Sequence, residues 1–178
     1  SILNNSAQTL TLANDSAASA LYRNEGNFEP TATVVQMPNN GNANAFFNLS
    51  GATYVSYCWH SVEGYSKFGT YVGNGNADGP FIYTGFRPRL IFFKRTDSTS
   101  GWTVVDTARY TSNTSDGPGR IEWNLNNAET TGGSALREMD VLSNGVKIRG
   151  TNGNINTSGG DYVYGAWADV SYKYNNTF

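Results

Sequence analysis

The sequence predicts an all-β protein, and three observations carry that reading. Short apolar runs follow one another closely, cut by turns rich in glycine and asparagine, as in an antiparallel sandwich or barrel. The composition agrees: 15% charged, 13% aromatic, 20 glycines and almost no long amphipathic helix. The third observation is a repeat. Asn48 to Val62 returns as Asn156 to Val170, an offset of 108 residues without a gap, and seven of the 15 positions are identical where chance gives about one. A fainter echo sets Leu3–Ala7 against Leu125–Glu129 at an offset of 122. The two halves of a duplicated unit must bury the same kind of surface, so repetition points to a stacked or pseudo-symmetric architecture. Residues 1–60 read as a partial copy whose strands pack onto the main domain, and 61–178 as a complete copy. The handover falls near Ser61–Gly64, where no Pro/Ser linker separates the two parts. A chain that opens inside a copy reads as a fragment of a longer protein.

The elements follow in order. Thr9–Leu12 reads as a strand, and Asp15–Leu21 as the best candidate for a helical turn, bounded early by Gly26. Thr31–Met37 is a strand closed by the turn Pro38 to Gly41. Tyr54–His60 and its copy Tyr162–Val170 are apolar on both faces, the mark of a central strand, which makes Trp59 and Trp167 core anchors. Phe68–Val72, Phe81–Tyr83, Leu90–Lys94, Thr103–Asp106 and Ile121–Leu125 are further strands, with turns at Asn74–Gly79 and Ser115–Gly117 between them. Asn144-Gly145, between Met139–Leu142 and Val146–Arg149, is the clearest hairpin, because both residues accept the positive φ of a type I′ turn.

Several function classes are excluded. The net charge is −2 with both signs interspersed, so no basic stripe exists to hold nucleic acid. No apolar run approaches the ~20 residues of a membrane helix, and no basic-then-apolar leader opens the chain. The single cysteine rules out an internal disulfide. Cys58 and His60 share a strand face, but their counterparts are Ala166 and Ala168, so Cys58 reads as a small core residue and not a nucleophile. Six Asn-x-Ser/Thr sequons, at Asn4, Asn14, Asn48, Asn113, Asn156 and Asn175, arise readily in a chain of this composition.

Chemistry finds little foothold. Asn74, Asn76, Asp78 and Gly79 imitate the start of a calcium loop, yet Asp78 is the one charged donor and Gly85 stands where a bidentate glutamate belongs. A tight turn explains the stretch better; no metal and no cofactor are expected. No acid pair is singled out among 14 acidic residues, and no Gly-x-Ser-x-Gly surrounds a serine, so the chain is not read as an enzyme. Arg87, Arg89 and Arg95 are suited to structural salt bridges with acids such as Asp97, Asp106 or Glu122, with an acidic glycan as the alternative partner. Binding asks for less: aromatic faces for sugar rings, with Asn, Asp and Arg for hydroxyls. Tyr65, Tyr71, Tyr83, Trp102, Tyr110 and Trp123 all sit near turns, where they serve either a ligand or a packed interface.

The run Tyr54 to Gly69, continued by Tyr71 to Pro88, resembles an uncharacterised domain of marine bacteriophage structural proteins, many described as tail fibres or other virion surface proteins. Lys94–Asp97, Trp102, Asp106–Arg109, Leu125–Glu129, Asp140–Arg149, Asn154–Gly160 and Tyr162–Tyr164 extend the likeness. It is close over 45–178 and partial over 1–44; the chain departs from it at Ala166–Asp169 and Tyr172–Tyr174. The resemblance implies a lectin-like antiparallel β-sandwich of jelly-roll type, here with an internal repeat, on a virion surface or tail appendage. The function expected is adhesion to a host-surface glycan. The candidate contacts are Tyr65, Tyr71, Asn74, Asn76, Asp78, Trp102 and Arg109. The expected partners are that glycan or other virion proteins, and the protein is expected to form a homo-oligomer, a trimer being one arrangement. The first alternative is a purely structural module, a capsid decoration or fibre-shaft segment. The second, weaker one is a glycan-degrading or esterase domain.

Overall fold

The computed structural model describes residues 50–109, 119–130 and 138–169, with the backbone of two short strands, Gln8–Thr9 (β1) and Ser19–Ala20 (β2). The chain divides into two compact units: Ser1–Leu10 with Ala18–Trp59, and Thr11–Ala17 with His60–Phe178.

In the first unit β1 and β2 pair antiparallel, Gln8 against Ala20 and Thr9 against Ser19. Ser19 and Ala20 therefore belong to a strand and not to the helical turn expected over Asp15–Leu21; a single turn is costly to nucleate, and cross-strand pairing satisfies the same backbone groups. Thr31–Met37, Tyr110 and the Ser115–Gly117 turn lie outside the described residues. The stretch 54–60 carries no strand. Val55 is 79% exposed, Tyr57 76% and Trp59 62%, so Trp59 is no core anchor, and Cys58 is exposed, not buried. Two apolar faces alone do not make a strand of these residues.

The second unit holds two antiparallel sheets. In the larger, β3 (Ser66–Val72), β10 (Asp161–Ala168), β5 (Pro88–Arg95), β6 (Thr103–Asp106) and β7 (Ile121–Glu122) lie side by side in that order. In the smaller the order is β4 (Phe81–Tyr83), β9 (Gly145–Ile148) and β8 (Met139–Leu142). β10 is the central strand its two apolar faces predict: Gly165 stands opposite Phe68 of β3 and Phe92 of β5. Its inner face carries Tyr164 and Ala166. These join Ile91, Phe93 and Val105 of the same sheet and Ile82, Met139, Val146 and Ile148 of the other in one buried cluster, with Ile155 beside them. Each valine, isoleucine, methionine or phenylalanine among them stabilises the fold by about 1.5–3 kcal/mol on burial. Trp167 points the other way, half-buried on the outer face, with its ring edge-on to Phe68 at 5.3 Å and tilted against Phe92 at 5.9 Å.

The β8–β9 hairpin forms where expected, but for a different reason. Gly145 pairs with Leu142 and belongs to β9, and it is not among the glycines with positive φ. A Cβ there would lie 2.2 Å from the carbonyl oxygen of Ile82, so the glycine permits close approach of β4. Among the described residues the one helix is α1 (Gly153–Asn156), capped by Asn152, whose side chain accepts from the Asn154 amide at 2.8 Å. No helix there is long and apolar enough to cross a membrane.

Candidate functional site: an aromatic and polar face on the small sheet

The loop from Gly73 to Gly79 is built from side chains that replace backbone partners. Asn74 Oδ1 accepts from the Asn76 amide and Asn76 Oδ1 from the Asp78 amide, both at 2.9 Å, while Asn74 Nδ2 donates to the Asp78 carbonyl at 2.9 Å. These nested Asx turns are held from below by Asn156, which is fully buried. Its Oδ1 accepts from the amides of Asn74 (2.9 Å) and Gly75 (3.4 Å), and its Nδ2 donates to the carbonyls of Asn76 (2.8 Å) and Gly150 (2.7 Å). Gly73 fits beneath because it lacks a Cβ, which would lie 2.3 Å from the Thr157 carbonyl. The oxygens a calcium ion would need on Asn74 and Asn76 are thus engaged within the turn. Among the described residues no group of three or more His, Cys, Asp or Glu could hold a metal.

The loop delivers the chain into β4, where burial alternates: Ile82 enters the core while Phe81 and Tyr83 face out, 45% and 61% exposed. Across the sheet Phe81 stands opposite Lys147, and Tyr83 opposite Gly145, which in turn pairs with the exposed Leu142. Lys147 Nζ donates to the Gly79 carbonyl and lies 2.7 Å from Asp78 Oδ1, tying loop to strand. The hydrogen bond from Lys147, then its charge, with a smaller effect of Arg149, hold the Asp78 carboxyl below the usual range, against a small opposing effect of desolvation. Asp78 therefore presents a carboxylate, 82% exposed, held by the lysine that stands opposite Phe81 across the sheet. Aromatic faces that receive C–H surfaces, with a carboxylate and amides to orient hydroxyls, are groups that recognise a sugar ring.

The seven residues expected from sequence are only partly brought together. Asn74, Asn76 and Asp78 form this rim. Tyr71 ends in the core instead: it stacks on Tyr162 at 4.8 Å and donates to the Ile155 carbonyl at 2.7 Å, and burial, aided by Tyr162, pushes its phenol pKa well up. Tyr65 is half-buried in the turn before β3, its carbonyl accepting from Ala168. Trp102 is 6% exposed on the outer face of the large sheet against Phe92. Arg109 is exposed and paired with Glu129. Tyr83 was noted in sequence only as one of several turn-proximal aromatics, and Phe81, Lys147 and Asn156 were missed as site residues. In Phe81-Ile82-Tyr83 all three side chains are apolar, so nothing in sequence marks the outward pair. In sequence Asn156 opens the second copy of the repeat and starts a sequon, which its burial removes from the surface; neither signals a loop anchor.

Several other charged groups are engaged with one another or with α1. Arg95 grips Asp97 with two bonds of 2.8 and 2.9 Å, and Arg89 joins Asp106 and Asp169. Two glutamates approach α1, but both are engaged: Glu138 by Arg120 and by Asn152 Nδ2 at 2.8 Å, Glu122 by Asn154 Nδ2 at 2.8 Å. His60 is exposed, its Nδ1 3.0 Å from the Ser61 carbonyl.

No curated protein and no solved structure matches the chain. The model of a domain of unknown function, DUF7483, matches residues 1–170, across both compact units. The chain belongs to the DUF7483 family.

Proposed function

We propose that this chain is a virion surface module, from a tail fibre or comparable appendage, that adheres to a host-surface glycan through the face carrying Phe81, Tyr83, Asp78 and Lys147. The observation that carries the reading is the pair of outward rings on a three-residue strand, set beside a rigid polar loop with an ionised carboxylate. The resemblance of 54–88 to phage virion proteins supports the setting. The core cluster shared by the five-stranded and three-stranded sheets supports a lectin-like two-layer sandwich of the jelly-roll type.

The test is a glycan array with soluble host polysaccharide as competitor, on the full chain and on Tyr83→Ala and Phe81→Ala. The reading expects competable binding that each substitution weakens about tenfold, the scale of a well-placed aromatic contact, with unchanged melting. Binding indifferent to both substitutions would move the site elsewhere. Silence across the array on folded protein would favour the structural alternative, a capsid decoration or fibre-shaft module, which the exposed apolar stretch at 54–60 supports independently.

A further inference from the structure

The outward face of the small sheet carries two rows of different chemistry, and strand register sets both. One row runs Tyr83, Gly145, Leu142 across β4, β9 and β8, and the next runs Phe81, Lys147, Asp140. Residues directly opposite one another share a face. The first row is apolar and dips at its middle, because Gly145 has no side chain. Phe81 uses the gap: a Cβ on Gly145 would lie 3.0 Å from the tip of its ring, so the ring stands over the glycine, between Tyr83 and Leu142.

The second row is made of charges that cancel. Lys147 Nζ lies 2.7 Å from Asp78 Oδ1, and Arg149 Nε, from the residue after β9, lies 2.7 Å from Asp140 Oδ2. Both cations of this face therefore already rest on acids. Lys147 also donates to the Gly79 carbonyl, and its side chain is 22% exposed against 82% for Asp78, so solvent meets the acid of the pair. Asp78 serves its turn through the backbone, its amide donating to Asn76 Oδ1 and its carbonyl accepting from Asn74 Nδ2. Its Oδ1 is taken by Lys147, while Oδ2 makes no hydrogen bond among the described residues. An ionised carboxylate only accepts. A sugar hydroxyl offers the proton it needs, whereas a carboxylate or sulfate on a sugar brings a second negative charge to a face with no unspent cation.

We propose, resting on the adhesive reading of this face, that its ligand is a neutral glycan, that Asp78 selects it by accepting hydroxyl protons at Oδ2, and that sugars bearing carboxylate or sulfate are rejected. The selection works by repulsion as well as attraction. Two unit negative charges about 4 Å apart weaken binding by about fivefold in water, and by more where the rings exclude it.

The test sets the full chain on an array of matched glycans, each neutral backbone beside the same backbone carrying a sialic acid, a uronic acid or a sulfate. The neutral members should bind, and the acidic ones should bind about fivefold more weakly or worse, with the gap narrowing as salt rises. Asp78→Asn keeps the backbone bonds of the turn. It should weaken neutral glycans about tenfold and erase the gap, since Lys147 then loses its acid. Lys147→Gln should widen the gap, which gives a second readout of opposite sign. Acidic glycans that bind as well as neutral ones, and that Phe81→Ala weakens, would overturn this inference and leave the adhesive face standing. Neutral binding untouched by Asp78→Asn would do the same. Binding indifferent to both Phe81→Ala and Tyr83→Ala, or no binding to any glycan, would overturn the adhesive reading and this inference with it.

Discussion

Replacing Asn156 by alanine should loosen the candidate site and lower stability together. The side chain is fully buried and makes four hydrogen bonds, three of them between 2.7 and 2.9 Å. A typical intramolecular hydrogen bond contributes about 1 kcal/mol net, and a buried group left without a partner costs about 1–3 kcal/mol. Three of the four partners, on Asn74, Gly75 and Asn76, belong to exposed residues, where water takes up part of the loss, whereas Gly150 is half-buried. The sum is about 2–4 kcal/mol, or roughly 4–16 °C in Tm at 2–4 °C per kcal/mol for a domain of this size. Asn156→Asp should do worse than alanine, because both Nδ2 donors vanish and a carboxylate oxygen then faces the Asn76 and Gly150 carbonyls. Urea unfolding followed by near-ultraviolet circular dichroism gives the comparison. A loss under about 0.5 kcal/mol for alanine, the range of ordinary surface changes, or an aspartate variant as stable as wild type, would refute the view that this side chain holds the loop.

Other outcomes follow from the same geometry. The Asp78 carboxyl should titrate below a free aspartate by NMR and return toward the ordinary value in Lys147→Gln; no change on that substitution would mean the ion pair is not formed in solution. Because the folded pKa is the lower one, the pair's contribution to stability is present above the unfolded pKa of about 3.9 and is lost as pH falls through the folded value. Gly165→Ala should cost about 1–3 kcal/mol by overpacking against the Phe92 and Phe68 rings, and a neutral melting temperature would show that those rings move freely. Tyr83→Phe should keep the ring and lose the hydroxyl, so sugar binding that falls as far as in Tyr83→Ala would place the recognition in the hydroxyl and not in ring stacking.

Much of the second unit was legible because strands bearing different side chains on their two faces announce themselves. The β6 and β8 spans fall where the sequence places them, β3 and β5 extend by a residue or two, and β10 is central because both its faces are apolar. β7 is shorter than its apolar run, ending at Glu122, whose carboxylate accepts from Asn154. What was not legible depends on neighbours remote in sequence. The outward direction of Phe81 and Tyr83 is set by where β9 runs. The role of Asn156 depends on a loop 80 residues away, and α1 is too short to leave a periodic signal. Of the expected site, the three loop residues stayed together because they bond to one another. Tyr71, Trp102 and Arg109 scattered because an aromatic or basic residue near a turn is as readily used to pack or pair as to bind.

The repeat shows most directly how sequence and partner share the work of making a strand. The two copies agree at the tyrosine, valine and tryptophan that shape an apolar strand, yet one is β10 and the other lies outside any strand. The decisive difference is at a single aligned position. Gly165 leaves room for the Phe68 and Phe92 rings to lie across β10 from both neighbours, β3 and β5. Tyr57 fills that space with its own ring. The first copy thus carries a side chain that could not occupy the place of Gly165 between these two neighbours.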